Sequence, residues 1–269
     1  MLRAKLSVVR GAAIGMLALA LTACSTTPVD PTAGMSPNQL YAEAKDQMAN
    51  GQWDKAIPFL EKLEARAAGT PLAQQAQIDK AYAHFKAQEP AQALATLDRF
   101  IRLHPSSPAL DYAMYLKGLI NFNDDLGMFS SLTRQDLSER DQKAAKESFE
   151  AFRALVNRFP DSRYAAEARQ RMNYIVSSLA QYEVHVARYY YRRGAYLAAV
   201  NRAQTALSEY QNVPALEEAL FIIYKSYDAM GMTQLRDDAR RVLEQSYPQS
   251  EFLTQGERSG GKDPWWKVW

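Results

Sequence analysis

Gly51-Gln52-Trp53-Asp54-Lys55-Ala56-Ile57-Pro58-Phe59-Leu60-Glu61-Lys62-Leu63 decides how the rest of the chain is read. After the glycine, an aromatic is followed by a small residue, and Leu60 and Leu63 lie one and two helical turns beyond Ala56 on the same face. The same order returns in Gly194, Tyr196, Ala199, Ala203 and Ala206. A glycine at the head of such a segment permits a tight turn, and small residues on the buried face let a second helix approach closely. Fainter copies run through Ala93, Leu97, Phe100 and Pro105, then Gly118, Ser148, Phe152, Leu155 and Pro160, and finally Tyr224, Tyr227, Gly231, Leu243 and Pro248. From Pro37 to Pro248 helical spacing holds almost throughout and no run of alternating β-branched residues interrupts it. His104-Pro105-Ser106-Ser107, Phe159-Pro160-Asp161-Ser162 and Tyr247-Pro248-Gln249-Ser250 punctuate it, with Tyr210-Gln211-Asn212 as a degenerate form. Proline disfavours helix in the residue before it, and a Ser or Asp beyond can cap the next helix.

This pattern resembles the tetratricopeptide repeat, an antiparallel helix pair of about 34 residues that buries its apolar faces on its neighbours. It predicts an all-α solenoid of about five helix pairs. Equivalent positions fall at 56, 93, 148, 199 and 236, so two intervals exceed one repeat. The first excess is an insertion after Phe122, from Asn123-Asp124-Asp125-Leu126-Gly127-Met128-Phe129 to Arg140, placed between the two helices of the third pair. The second contains no breaker: residues 162–193 hold neither Gly nor Pro. They predict one helix longer by about five turns, roughly 25 Å at about 1.5 Å per residue, or two helices bent near Ser177-Ser178. The expected layout is a signal peptide over 1–23, an anchor and flexible linker over 24–36, and N-terminal repeats over 37–122. An inserted loop over 123–142, C-terminal repeats over 143–250 and a flexible Trp-rich tail over 251–269 follow.

Arg3, Lys5 and Arg10 precede an apolar run, Gly11 to Leu21, too short to span a bilayer as a helix. The run ends in Leu21-Thr22-Ala23-Cys24, which resembles the lipobox of bacterial lipoproteins, where the cysteine is acylated on sulfur and becomes the first mature residue. Cys24 is the one cysteine of the chain, so no disulfide framework is available to it. A single acyl chain binds membranes marginally, and the several on such a cysteine anchor stably. Ser25, in place of an aspartate, favours the outer membrane in the lipoproteins this resembles. Without residues 1–23, which carry three basic residues and no acids, 29 basic residues face 30 acidic ones. A near-neutral chain lacks the clustered basic face that nucleic acid requires.

Catalytic signatures are missing. His84, His104 and His185 lie in different repeats with no metal-ligand spacing, and no phosphate-cradling loop, GxSxG elbow or HExxH is found. Ser259-Gly260-Gly261-Lys262 matches SxxK by letter alone. The expectation is a recognition scaffold without cofactor or metal, not an enzyme. Tyr82, Phe85, Tyr112, Tyr115, Tyr182, Tyr189, Tyr190 and Tyr191 crowd the first helices of pairs. Most of them pack between repeats; the remainder offer a peptide groove stacking and hydrogen-bonding platforms, and Tyr82, Phe85, Tyr112 and Tyr115 are taken as its candidates. Three of the four tryptophans, Trp265, Trp266 and Trp269, end the chain beside Lys267, a composition that suits a membrane interface, a partner groove or neither.

Several longer strings are more specific than the repeat. Leu97-Asp98-Arg99-Phe100-Ile101-Arg102-Leu103-His104-Pro105, Asp111-Tyr112-Ala113-Met114-Tyr115-Leu116-Lys117-Gly118-Leu119, Gln181-Tyr182-Glu183, Val186-Ala187-Arg188-Tyr189-Tyr190 and Ala199-Val200-Asn201-Arg202 resemble the BamD (ComL) family of the outer-membrane β-barrel assembly machinery. The resemblance implies a lipoprotein on the periplasmic face of the outer membrane, bound to the POTRA region of a BamA-type barrel subunit and to other Bam lipoproteins. It also implies that the N-terminal repeats receive unfolded outer-membrane β-barrel substrates. Arg202, with Asn201 beside it, matches the family's docking arginine, whose guanidinium suits a bidentate bridge to a carboxylate, while pairing with Glu209 on its own helix is an equal alternative. Arg140-Asp141 matches a family motif in the insertion. The first repeat departs from the family: Arg66-Ala67-Ala68-Gly69-Thr70-Pro71 stands where an arginine-tyrosine-proline punctuation is usual. Repeat lipoproteins of cell division or envelope lipid transport would share the signal, anchor and helix pairs, and only these strings stand against them.

Overall fold

The computed structural model describes residue 30, residues 32–122 and residues 142–255. Among these, eleven α-helices and no strand occur: α1 (Pro37–Ala49), α2 (Trp53–Arg66), α3 (Pro71–Lys86), α4 (Pro90–Leu103), α5 (Leu110–Phe122), α6 (Gln142–Arg158), α7 (Ala165–Arg192), α8 (Tyr196–Glu209), α9 (Ala215–Ala229), α10 (Thr233–Ser246) and α11 (Glu251–Gln255). The all-α expectation of five helix pairs therefore holds, with α1/α2, α3/α4, α5/α6, α7/α8 and α9/α10 as the pairs. The chain divides after Ala76 into two compact units.

In the first unit, α1 opens with a reciprocal cap: Ser36 Oγ accepts from the Gln39 amide at 3.4 Å, and the Ser36 amide donates to Gln39 Oε1 at 2.8 Å. Leu40, Ala44 and Met48 of α1 and Ala56, Leu60 and Leu63 of α2 are buried. Asp30, Thr32 and Met35, which fall in the span expected to be the linker, carry hydrogen bonds to α2. Lys62 Nζ donates to Asp30 Oδ1 at 2.5 Å and to Thr32 Oγ1 at 2.7 Å, and Arg66 Nη1 donates to the carbonyls of Thr32 at 2.8 Å and Met35 at 2.7 Å. The Lys62 hydrogen bond first, then those that Thr32 donates from Oγ1 at 2.7 Å and from its amide at 3.0 Å, hold the Asp30 carboxyl well below the usual carboxylate range. Composition gives no sign of this strap because its partners lie about thirty residues further on.

The second unit repeats one turn design. In the α7–α8 turn, Gly194 has φ 73°, its amide donates to the Tyr191 carbonyl at 3.0 Å and the Ala195 amide to the Tyr190 carbonyl at 3.0 Å. The α3–α4 turn makes the same bonds, Gln88 to Phe85 at 3.1 Å and Glu89 to His84 at 2.9 Å, yet the left-handed residue is Gln88, at φ 65°. A side chain there costs about 1–2 kcal/mol, offset by the surrounding contacts, among them Glu89 Oε2 on His84 Nδ1 at 2.7 Å.

Three apolar clusters occur among the described residues of this unit, the smallest being Leu220, Phe221 and Leu243 near its end; the other two are larger. Ile78 and Ala81 of α3, Ala93, Leu97 and Phe100 of α4 and Leu110, Ala113, Leu116 and Ile120 of α5 form one; the other runs from Tyr115 through α6, α7 and α8 to Ala239. Helix α7 is a single α-helix of 28 residues, about 42 Å long, so the bend near Ser177-Ser178 does not occur; Ser178 is buried within it. Its first half buries Ala168 and Ile175, and its second half Val184 and Ala187. At the start of the span expected to be a tail, residues 251–255 form α11, and Phe252 stacks on Phe221 with centroids 5.1 Å apart. That contact covers the exposed end of the last pair, as the terminus of a repeat array requires. No helix among the described residues is long and apolar enough to cross a membrane.

Candidate docking surfaces

Two groups of side chains in the second unit combine polar atoms with accessible faces. The first is aromatic. Tyr82 and Phe85 on α3 and Tyr112 on α5 are half-buried against the Ile78–Ile120 cluster. Tyr112 lies 5.4 Å, centroid to centroid, from Tyr164, a residue the sequence reading passed over because it follows the Phe159-Pro160 punctuation. Burial, with the neighbouring phenols Tyr164 and Tyr82, raises the Tyr112 hydroxyl above its ordinary value, which places the three rings in one electrostatic neighbourhood. Asp111 fixes the helix start below them, accepting from the Tyr112 amide and from Ser162 Oγ, each at 2.7 Å. Arg163 lies over the Tyr164 ring, 4.7 Å from its centroid, and donates to its hydroxyl.

Tyr115, taken from the sequence as a groove residue, is a core residue. It is 8% exposed, stacks on Tyr164 at 4.7 Å and 17°, and lies 6.1 Å from Phe152. Burial first, then the hydrogen bond to Glu167, pushes its phenol up to about 12, while that same bond holds Glu167 low. The reason is tertiary: residues 112 and 115 share a helix face, but the Tyr115 ring is covered by Tyr164 and Phe152 from other helices and turns.

The second group lies where α7, α8 and α9 meet. Arg202 on α8 does not pair with Glu209; its Nη1 donates to Glu183 Oε2 on α7 at 3.1 Å. The Glu183 side chain is 6% exposed and that of Arg202 46%. Asn201 beside it is exposed, and its carbonyl accepts from Thr205 Oγ1 at 3.1 Å. Five residues along α7, Arg188 grips Glu218 of α9 through two bonds, Nε to Oε1 at 2.7 Å and Nη2 to Oε2 at 2.6 Å. Tyr210 closes the corner, its phenol pushed up to about 12 by burial and then by Glu209 and Glu183. Further along, Tyr189 is 52% exposed beneath Arg193, and Leu197 is 63% exposed. Sequence reasoning saw Glu183 inside a family string but gave it no role, since its partner lies nineteen residues away across a turn.

Cys24, Arg140, Asp141 and the tryptophans of the tail lie outside the described residues. Among the described ones, no three His, Cys, Asp or Glu side chains converge as metal ligands would.

A sequence profile described as YfiO, outer membrane lipoprotein, matches residues 33–243. The chain belongs to this family. The outer membrane protein assembly factor BamD of Neisseria meningitidis serogroup B is 46% identical over 258 residues, covering 94% of this chain and 96% of the relative. The factor of the same name from Neisseria gonorrhoeae is 44% identical over the same span, and that from Vibrio cholerae 34% over 231 residues, 86% of this chain and 95% of the relative. Among solved structures, the MamA protein covers 85% of this chain and 98% of its own at 16% identity and a TM-score of 0.33, too slight a likeness to build on. Family membership thus rests on sequence along nearly the whole chain, and both candidate surfaces fall within the matched span.

Proposed function

We propose that the protein is a lipid-anchored, non-enzymatic scaffold subunit of the outer-membrane β-barrel assembly complex, tethered through Cys24 to the periplasmic face of the outer membrane. The observation that carries this reading is the 46% identity across 94% of the chain with a relative named as an outer membrane protein assembly factor. Function by recognition agrees with the helix pairs, whose residues are spent on packing and leave polar and aromatic side chains at accessible edges. Arg202, with Asn201, docks the POTRA region of a BamA-type subunit, and Arg140 and Asp141 add a contact from the insertion. Tyr82, Phe85 and Tyr112 receive the unfolded β-barrel substrate, aromatic faces being tolerant of varied side chains in an extended peptide. Other Bam lipoproteins complete the assembly.

The test is copurification of the tagged, lipidated chain in mild detergent. Recovery of a POTRA-containing barrel protein is the expected outcome; its absence alongside a different stable partner rejects the reading. Within a positive result, Arg202→Glu is expected to reduce recovery of that barrel protein strongly.

A further inference from the structure

The Glu183–Arg202 pair is unequal. Glu183 sits on the buried side of α7 with Leu179, Ala180, Val184 and Ala187, whereas Arg202 reaches it from a half-exposed position on α8. An apolar residue of similar volume would pack there at no electrostatic cost, so a buried acid is poorly explained by stability alone. Its consequence lies on the arginine. A guanidinium carries five N–H donors in a rigid plane, and Arg202 donates to Glu183 through Nη1. That bond restrains the guanidinium at Nη1, while 46% of the Arg202 side chain stays exposed. The base beneath is stiff, because Arg188 and Glu218 tie the same helix to α9.

We infer that Glu183 is a positioning residue: it holds the guanidinium of Arg202 in place so that the remaining donors face outward, ready for a carboxylate on the docking partner. The inference rests on the docking role proposed for Arg202. Two effects of Glu183 oppose each other. Its charge repels an incoming carboxylate, but the guanidinium stands between the two acids and contacts each directly, so attraction acts at shorter range than repulsion. Its grip also removes rotamer freedom from a long side chain before the partner arrives, and ordering that is already complete does not weaken binding. Preorganisation therefore outweighs repulsion.

The test measures the affinity of the full mature chain for the purified POTRA region of the barrel subunit. Glu183→Met, which removes charge and hydrogen bond, is expected to weaken binding about tenfold, and Glu183→Gln, which keeps an acceptor, about threefold. Neither is expected to weaken it further in an Arg202→Ala background, whereas damage through general loosening of the fold would add to the Arg202 effect. Should Glu183→Met fail to fold, Glu183→Gln decides, its integrity checked by thermal melting. If Arg202→Ala weakens binding but the Glu183 variants bind as tightly as the parent or more tightly, Glu183 is a bystander or a competitor for the arginine, and the inference fails alone. If Arg202→Ala has no effect, the docking assignment fails and takes this inference with it.

Discussion

The seam between α5 and α6 and the corner where α7 meets α8 and α9 join neighbouring helices by opposite means. In the seam the fit is steric: Gly118 faces the Phe152 ring so closely that a Cβ at 118 would lie well inside contact distance, and Ser148 Oγ donates to the Gly118 carbonyl at 2.8 Å. In the corner, Glu183–Arg202 and Arg188–Glu218 cross from one helix to the next. A steric seam spends all its capacity on itself. An ionic corner with one half-exposed arginine keeps hydrogen-bond donors for something else, and there the docking reading is centred.

The seam should be the less forgiving of the two. Glycine within a helix costs about 1 kcal/mol relative to alanine, so Gly118→Ala would stabilise α5 were space available. Instead it is expected to lower stability by about 1–3 kcal/mol through overpacking against Phe152, read as a fall in denaturant midpoint; an unchanged or raised midpoint would show that the ring moves aside freely. In the corner, Glu218→Gln is expected to cost about 1 kcal/mol, since the pair is largely but not fully buried. That loss should shrink in high salt, and the Gly118→Ala loss should not.

Alkaline titration sharpens the contrast with the smallest effect. Tyr115 in the seam and Tyr210 in the corner both stand near 12 against an ordinary value of 10. A phenol whose folded value is raised contributes stability that is complete below pH 10 and is lost as pH climbs toward 12, because the unfolded chain releases the proton first. Ultraviolet titration is thus expected to show these two phenols ionising late, with unfolding favoured above pH 10. Glu183→Gln removes a charge that acts on Tyr210 and not on Tyr115, so only Tyr210 should ionise earlier; a parallel shift in both would mean the variant had loosened the whole unit.

The helix pairs were legible because their signals are local. Gly51 and Gly194, each with an aromatic two residues on and small or apolar residues at helical spacing, mark turns and buried faces within a dozen residues, and the absence of Gly and Pro over 162–193 foretold a long α7. Gln88 was invisible: it takes the conformation of Gly194 because contacts around the α3–α4 turn hold it there, and no composition rule places a glutamine in that region. The strap from Asp30 and Thr32 to Lys62 and Arg66, and the packing of α11 on Phe221, were not legible because each depends on partners distant in sequence or on a helix end that must be covered.

The same division runs through the candidate surfaces. Arg202 was found from a string, but its partner was guessed from the helix that carries it, whereas the interhelical approach of α7 and α8 chose Glu183. Tyr115 was grouped with Tyr112 from sequence position, yet packing against Tyr164 and Phe152 made it core. By itself the sequence determined the helices, their pairing and the family, since periodicity, turn residues and long matching strings act over short spans of chain. Which acid meets which arginine, and which aromatics stay accessible, was decided only in the folded chain, where residues far apart in sequence compete for the same space and the same charge.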